Sequence, residues 1–353
     1  PAAGEAGQPP AGGGVRTGHG EVLPGEVAPA SDTAATLTTP DKPNRNYIIQ
    51  PADQIGQGTE SVKYHNNVSA IRLIKSLETK NRLATPSEQA VLVKYVGWGG
   101  MKNVFNRRYE WDAALQQSNR TDYARYKEVK ELLTQDEWDR AAASTLNAHY
   151  TSEEVIRAMW SGIERLGISR VRGRIRANEP GAGIGHFIGL QPVSLAARTA
   201  WTAIEIDDIS GKILRQLYQA VDGRITPYER ATLPKNFYHL FVGNVPFLEG
   251  KVHDPEYRLV PAATTGLHNY YFVRSLDHTA PGGLVAFITS RYTMDSEATG
   301  VRDLVAKSAD LVAAIRLPNT AFKANAGTEV VTDILFLRKR LPGEAPAGEA
   351  WKE

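Results

Sequence analysis

The stretch LFVGNVPF, residues 240–247, contains residue types that can do chemistry on a planar amine. An apolar run is followed by Asn244, Val245, Pro246 and Phe247. Two oxygens can accept hydrogen bonds from an exocyclic amino group: the side-chain oxygen of Asn244 and the main-chain carbonyl oxygen of residue 245. These bonds would stabilise the amine nitrogen as it becomes positive while a group is transferred to it. Phe247 provides a ring on which a base turned out of a helix can stack. We therefore take these four residues as the candidate catalytic group.

A second group of residues can hold a cofactor. The segment ANEPGAGIGHFIGL predicts a strand that ends at Glu179, followed by a turn in which Gly181, Gly183 and Gly185 let a ligand approach the backbone closely. The spacing departs from the dinucleotide pattern G-x-G-x-x-G, because His186 occupies the place of the third glycine. Glu179 can pair with a cationic amino-acid group but would repel a pyrophosphate. The residues therefore favour S-adenosylmethionine over NAD.

Further residues along the chain suit the adenosyl part of that cofactor. Glu205 ends the apolar run WTAIE, at roughly the distance from the glycine turn at which a carboxylate accepts ribose hydroxyls in dinucleotide sites. Ile206 would then lie against the adenine face. Glu229, after a third predicted strand, is placed for the adenine amino group. Phe187, just beyond the glycine turn, completes this predicted cofactor-binding set.

The elements that must position these residues alternate between strands and helices after residue 170. Short apolar runs end in polar, Gly or Pro residues and are separated by helical stretches, a pattern typical of an α/β protein with a mostly parallel sheet. In such a sheet, ligands bind beyond the carboxyl ends of the strands. Glutamates and Asn244 at strand ends are therefore predicted to face one crevice. The last two runs, LVAAIRLP and EVVTDILFLRKR, have no helix between them and predict an antiparallel edge.

The composition divides the chain into four predicted parts. These are a disordered or linker-like segment over 1–45, a helical N-terminal region over 46–165, a catalytic domain over 166–341 and a linker-like tail over 342–353. Two linker-like ends indicate a piece of a longer polypeptide. Neither a signal peptide nor a run of about 18 apolar residues is present, so we expect a cytoplasmic protein without a membrane partner.

Cysteine is absent from all 353 residues, which excludes disulfides and thiolate metal sites. It also excludes methylation at a cytosine ring carbon, because that reaction uses a cysteine nucleophile. The histidines show no metal-binding spacing, and no metal is predicted. Chemistry at an exocyclic nitrogen needs neither a cysteine nucleophile nor a metal ion.

The order HYTSEEV, NEPGAGIGHF, IEID, GNVPF and GGLVAFIT resembles the motif series of N6-adenine DNA methyltransferases. The segments YVGWGGMKNVF, LHNYYFVRSLD and IRLPNTAFKANAGTEVVTDILFLRKR resemble in particular the methylase modules of large phage and plasmid methylase–helicase proteins. The resemblance implies a Rossmann-like fold, a flipped adenine held by Asn244 to Phe247, and Tyr150 and Thr151 at the methionine end of the cofactor. It also implies DNA as partner, further domains such as a helicase, and a role in restriction-modification or anti-restriction on a mobile element.

Two features depart from that family pattern. Val245 stands where proline is usual, which removes some stiffness but keeps the carbonyl. A target-recognition domain, which usually follows the catalytic domain, has no counterpart in the few residues after Leu341. In the helical region Lys102, Arg107 and Arg108 alternate with aromatic residues, which suits nucleic-acid contact, although the pattern favours a solvated helix face with buried aromatic residues.

Two other functions fit the same residues. One is methylation of RNA or of a protein glutamine amide, because the motif can hold any planar amide-like nitrogen. The other is a non-catalytic module that binds DNA or a protein partner and retains a cofactor pocket.

Overall fold

The computed structural model describes residues 46–145, 150–247, 250–319, 321, 331–348 and 351, and these fall in one compact unit. The segment predicted to be disordered, 1–45, lies outside the described residues.

The region before the sheet is helical, as its apolar periodicity predicts. Its helices are α1 (Glu60–Thr79), α2 (Pro86–Leu92), α3 (Ala113–Ser118), α4 (Arg120–Leu132), α5 (Gln135–Ser144) and α6 (Glu153–Arg165). Thr85 and Glu88 form a capping box at the start of α2, and Ser152 caps α6 through the N–H of Val155. Each cap satisfies backbone donors that the first helical turn leaves without partners.

The strands form one sheet of mixed direction. They are β1 (Ile175–Pro180), β2 (Thr199–Glu205), β3 (Asp222–Ile225), β4 (Tyr238–Asn244), β5 (Thr279–Ser290), β6 (Ala309–Leu317) and β7 (Thr332–Lys339). Among the described residues they follow the order β3-β2-β1-β4-β5-β7-β6, with β1 to β5 parallel. The predicted Rossmann-like α/β fold is confirmed.

The last two strands are antiparallel, as predicted from the missing helix, but they do not simply extend the sheet in chain order. β7 inserts between β5 and β6 and runs antiparallel to both. β7 is accordingly apolar and buried, whereas β6 at the edge has several exposed positions. The order follows from burial, because the more apolar strand needs cover on both faces.

The remaining helices cover the sheet or follow strand ends. They are α7 (His186–Gly189), α8 (Val193–Ala196), α9 (Asp208–Leu217), α10 (Pro261–Thr264), α11 (Leu267–His278), α12 (Tyr292–Asp295) and α13 (Gly300–Ala306). Within the described ranges, no helix combines the length and apolar character that crossing a bilayer needs.

Two apolar cores lie on the two faces of the sheet, divided by the alternation of side chains along each strand. In β4, Leu240 and Val242 belong to one core and Phe241 to the other. The larger core also contains Trp98 and Trp138 of the helical region. The helical region and the sheet are therefore packed into one continuous interior.

An extended segment before α1 is hydrogen-bonded to the ends of α9 and α7. The N–H of Tyr47 donates to the carbonyl of Leu217 (2.8 Å), and that of Ile49 to the carbonyl of Gly189 (3.0 Å). A Cβ on Gly189 would lie 2.4 Å from the Tyr218 hydroxyl and 2.7 Å from Ile49. The absence of a side chain at Gly189 thus lets this segment pack closely against α7.

Candidate active site

A cavity of about 860 Å³ opens at the carboxyl ends of the parallel strands, within the size range of small-molecule sites. Strand register explains its position: Glu205 pairs with Ile225 and Asn244 with Ile288, so both polar residues end their strands at the same edge. The structure brings together most of the predicted site residues in its lining, namely Tyr150, Thr151, Glu179, Gly181, Gly183, Phe187, Glu205, Ile206, Glu229, Asn244, Val245, Pro246 and Phe247.

Gly185 is the predicted cofactor residue that does not line the cavity. It begins α7 with φ +84°, and its α-carbon faces the Tyr218 ring instead. Gly181 and Gly183 do line the cavity, with φ +70° and +56°. The three glycines thus divide into two that border the open space and one that allows close packing beneath it.

Gly185→Ala is expected to destabilise the fold strongly. The new Cβ would lie 2.6 Å from the Tyr218 ring, which adds overpacking to the cost of a left-handed residue, together about 2–5 kcal/mol. Gly173→Ala is the matched control, because φ there is +68° but nothing lies within 4 Å of the new Cβ. Urea unfolding of both variants would measure the difference. Equal stability of the two would contradict the packing role of Gly185.

Two buried glutamates give the cavity its electrostatic character. Glu179 is 3% exposed, and its Oε2 has no hydrogen-bond partner among the described residues. Burial, then the charge of Glu205, raise the pKa of Glu179 well above its usual value. An orphaned buried carboxylate oxygen is costly and indicates a missing donor. A cationic ligand group would satisfy it.

Glu205 is held by the backbone that it faces. Its Oε2 accepts the N–H of Gly183 (2.6 Å) and its Oε1 that of Asp207 (2.8 Å). These bonds tie the glycine turn to the end of β2. Burial raises the pKa of Glu205 to about 7, although the N–H donors oppose this shift. The group therefore titrates near neutral pH.

The amide of Asn244 is oriented by Thr151. Its Nδ2 donates to Thr151 Oγ1 at 3.2 Å, which turns Oδ1 away from Thr151. Thr151 is 6% exposed and precedes the cap of α6, so a packed helix end fixes the acceptor. The interaction joins the segment that carries Tyr150 and Thr151 to the proposed target motif.

Val245 is well accommodated in its loop. Its side chain is 1% exposed in the smaller core, and its N–H donates to the carbonyl of Ile288 (3.1 Å) at the end of β5. Proline has no N–H to make this bond. This strand-like hydrogen bond therefore gives the loop part of the stiffness that a proline would provide.

Val245→Pro is expected to lower stability by about 1 kcal/mol without raising kcat, because it removes the bond to Ile288. Val245→Ala, which keeps the N–H, separates loss of packing from loss of the bond. Unfolding curves and methyl-transfer rates for both variants would check this. A more than tenfold rise in kcat for Val245→Pro would show that valine weakens the site.

Comparison with known proteins adds to this geometry. No protein-family model matches the chain. The structure is similar to that of a Listeria monocytogenes protein described as a class I S-adenosylmethionine-dependent methyltransferase, with a TM-score of 0.50, 14% identity, and 82% of this chain and 91% of that chain covered. The chain has the Rossmann-like fold of S-adenosylmethionine-dependent methyltransferases. A type I restriction-modification methyltransferase subunit from Streptococcus thermophilus aligns at TM-score 0.45 and 13% identity, over 80% of this chain and 79% of that one.

One curated relative is similar in sequence. Over 217 residues, this methyltransferase-fold chain is 29% identical to the Defense against restriction protein B of Escherichia phage P1. The match includes 60% of this chain but only 9% of the phage protein. The chain thus corresponds to a small part of that relative.

Several residues of the cavity were not predicted from the sequence. Tyr95 is 2% exposed and, like Tyr150, has its hydroxyl beside Ser210. Tyr271 lies against the glycine turn, 3.6 Å from where a Gly181 Cβ would be, and 3.9 Å separates that point from Pro246. The motif KYVGWGG, in which Tyr95 precedes clustered glycines, was the available signal for the first of these.

The basic residues proposed for nucleic-acid contact lie outside the cavity lining. Arg107 pairs with Asp139 (2.5 Å) and Arg108 with Asp112 (2.7 Å), and Lys102 is exposed. The neighbouring aromatic residues Phe105 and Tyr109 are buried. This arrangement fits a solvated, ion-paired helix face as well as it fits contact with nucleic acid.

Proposed function

We propose that this chain transfers a methyl group from S-adenosylmethionine to the exocyclic N6 amine of adenine in DNA, with the target base held outside the helix. The observation that carries the proposal is the single cavity that contains both the glycine turn with its glutamates and the Asn244–Phe247 motif. A cofactor group and a planar amine can therefore meet in one cavity. The 29% identity to an anti-restriction protein of a phage supports DNA as the substrate.

The residues present fit the cofactor. The buried Glu179 Oε2 needs a donor, and a cationic amino-acid group is one. Glu205 keeps further lone pairs for ribose hydroxyls at the carboxyl end of β2, and the exposed Ile206 side chain borders the space for adenine. When bound, S-adenosylmethionine supplies a methyl group activated by a sulfonium.

The chain's own residues then act on the amine. The lone pair of an exocyclic amine is delocalised into the ring, so the nitrogen is a poor nucleophile. Asn244 Oδ1 and the Val245 carbonyl accept its hydrogens and stabilise the positive charge that develops on it. Phe247, half-buried against the larger core, provides a fixed surface for stacking the base. The cavity aligns the two reactants, which supplies much of the rate enhancement.

The deciding experiment is incubation of the protein with labelled S-adenosylmethionine and mixed DNA, followed by digestion to nucleosides. N6-methyl-2′-deoxyadenosine as the labelled product supports the proposal. In parallel incubations with total RNA or with protein, a label found only in RNA or in protein glutamine would assign a different amino-methyltransferase function. Calorimetric binding of the cofactor without transfer to any substrate would indicate a non-catalytic module.

The partners that we propose are DNA and further domains of a longer polypeptide, such as a helicase. The chain corresponds to 9% of the phage relative, which supports a modular context. The proposed nucleic-acid role of Lys102, Arg107 and Arg108 depends on their exposure at the surface of the helical region.

A further inference from the structure

The charges that line the cavity are unevenly distributed. Four acidic residues and two arginines line the cavity. The acidic residues are Glu179, Glu205, Asp207 and Glu229, and the arginines are Arg140 and Arg230. Both arginines are exposed, and neither forms an ion pair with any residue that the structure describes. A nucleotide brings one negative charge per phosphate. Those carboxyl groups that are ionised would repel it unless a cation in the lining offsets the repulsion.

We propose that Arg140 binds the DNA backbone at a phosphate next to the target nucleotide and so positions the base over Asn244. This inference rests on the proposed function and assigns a substrate-positioning residue in the helical region. Arg140 is in α5, which contributes a wall of the cavity through Ala141, Ala143 and Ser144. This helix comes before β1 in the sequence and does not include the Asn244–Phe247 motif.

Arg140 lines the same cavity as the Asn244–Phe247 motif, and the proposal assigns it to the target side. Ala141 belongs to the same core against which Phe247 and Tyr150 pack. Thr151, which accepts a hydrogen bond from the amide of Asn244, lines the same cavity as Arg140. Arg230 follows β3, three strands away from β4 in the sheet, or about 14 Å at the usual strand spacing. It lies beside Glu229, at the end of the cavity assigned to adenosine.

The charge of Arg140 is available to a ligand. Its neighbour Asp139 already pairs with Arg107 at 2.5 Å and accepts a hydrogen bond from Gln135 at 2.9 Å. A guanidinium that has no carboxylate partner among the described residues and lines a cavity is suited to bidentate contact with a phosphate. The contact carries no sequence information and would fix register only.

The test uses Arg140→Ala and Arg140→Lys, with Arg120→Ala as control. Arg120 is exposed, belongs to the same helical region, forms no ion pair with a described residue and does not line the cavity. The probe is a fluorescent duplex with a mismatched adenine, which lowers the cost of extruding that base. Binding is measured against salt concentration, and calorimetry measures the affinity for S-adenosylmethionine.

Arg140→Ala is expected to weaken DNA binding about tenfold and to reduce the slope of log affinity against log salt by about 0.9. KM for DNA should rise more than kcat falls, cofactor affinity should stay unchanged, and Arg140→Lys should restore the salt slope. Arg120→Ala should leave the slope unchanged. If the unmodified protein methylates DNA while Arg140→Ala keeps the same slope and KM, the inference is overturned and the proposed function stands. No salt-dependent DNA binding by the unmodified protein would overturn both.

Discussion

Replacing Asn244 with alanine is expected to reduce methyl transfer by about 100- to 1,000-fold while cofactor affinity stays within about twofold. The amide oxygen is one of two acceptors proposed to stabilise the developing charge on the amine, and loss of one such preorganised group has that magnitude in other enzymes. The cofactor is unaffected because its predicted contacts, Glu179 and Glu205, belong to β1 and β2. Single-turnover transfer to DNA and calorimetry measure the two quantities.

Two further variants make that result specific. Asn103→Ala removes an amide in the helical region that bonds Asp122 at 3.0 Å and is absent from the cavity lining, so activity should be unchanged. Thr151→Val removes the acceptor that orients Asn244 and should lower kcat without changing the rest of the motif. Transfer by Asn244→Ala within a few-fold of the unmodified rate would refute the assignment of the motif.

The affinity for S-adenosylmethionine is expected to fall about tenfold for each pH unit below about 7. Burial raises the pKa of Glu205 to about 7, so the carboxyl is increasingly protonated below that pH. Ribose hydroxyls donate best to the carboxylate, and the bound state therefore favours the deprotonated form. Binding releases a proton, which makes affinity constant above the pKa and weaker below it.

Glu205→Gln tests the source of this dependence. The variant keeps the shape but loses the charge, so we expect affinity at pH 8 to fall by about 10- to 100-fold and the slope near pH 7 to disappear. Asp208→Asn is the matched control, because Asp208 pairs with Lys212 outside the cavity lining. Titration calorimetry from pH 5.5 to 8.5 would measure all three proteins. An unchanged slope in Glu205→Gln would assign the proton to another group.

The strand ends that carry the site could be located from the sequence alone, because each is marked locally by an apolar run followed by polar, Gly or Pro residues. β2 ends at Glu205 and β4 at Asn244, as predicted, and β1 ends at Pro180, one residue beyond the prediction. The antiparallel direction of the final strands also followed from local spacing. The insertion of β7 beside β5 did not, since strand order depends on which strand needs cover on both faces.

The apolar periodicity of the helical region did not predict that this region supplies residues to the cavity. Tyr95 and Arg140 line the cavity although they belong to the helical region, and apolar periodicity does not mark that contribution. The role of Gly185 was similarly hidden. A glycine in a ligand-binding turn and one that admits a buried tyrosine ring look alike in a sequence, and only the position of Tyr218 separates them.

The continuous interior shared by the helices and the sheet limits how the chain can be engineered. Trp98 and Trp138 lie in the same core as Trp160 and Ala177. A cut at residue 166, made to transplant the sheet onto a different DNA-reading scaffold, would expose that interior and remove one wall of the cavity. A successful chimera would have to exchange helices and sheet together as one inherited block.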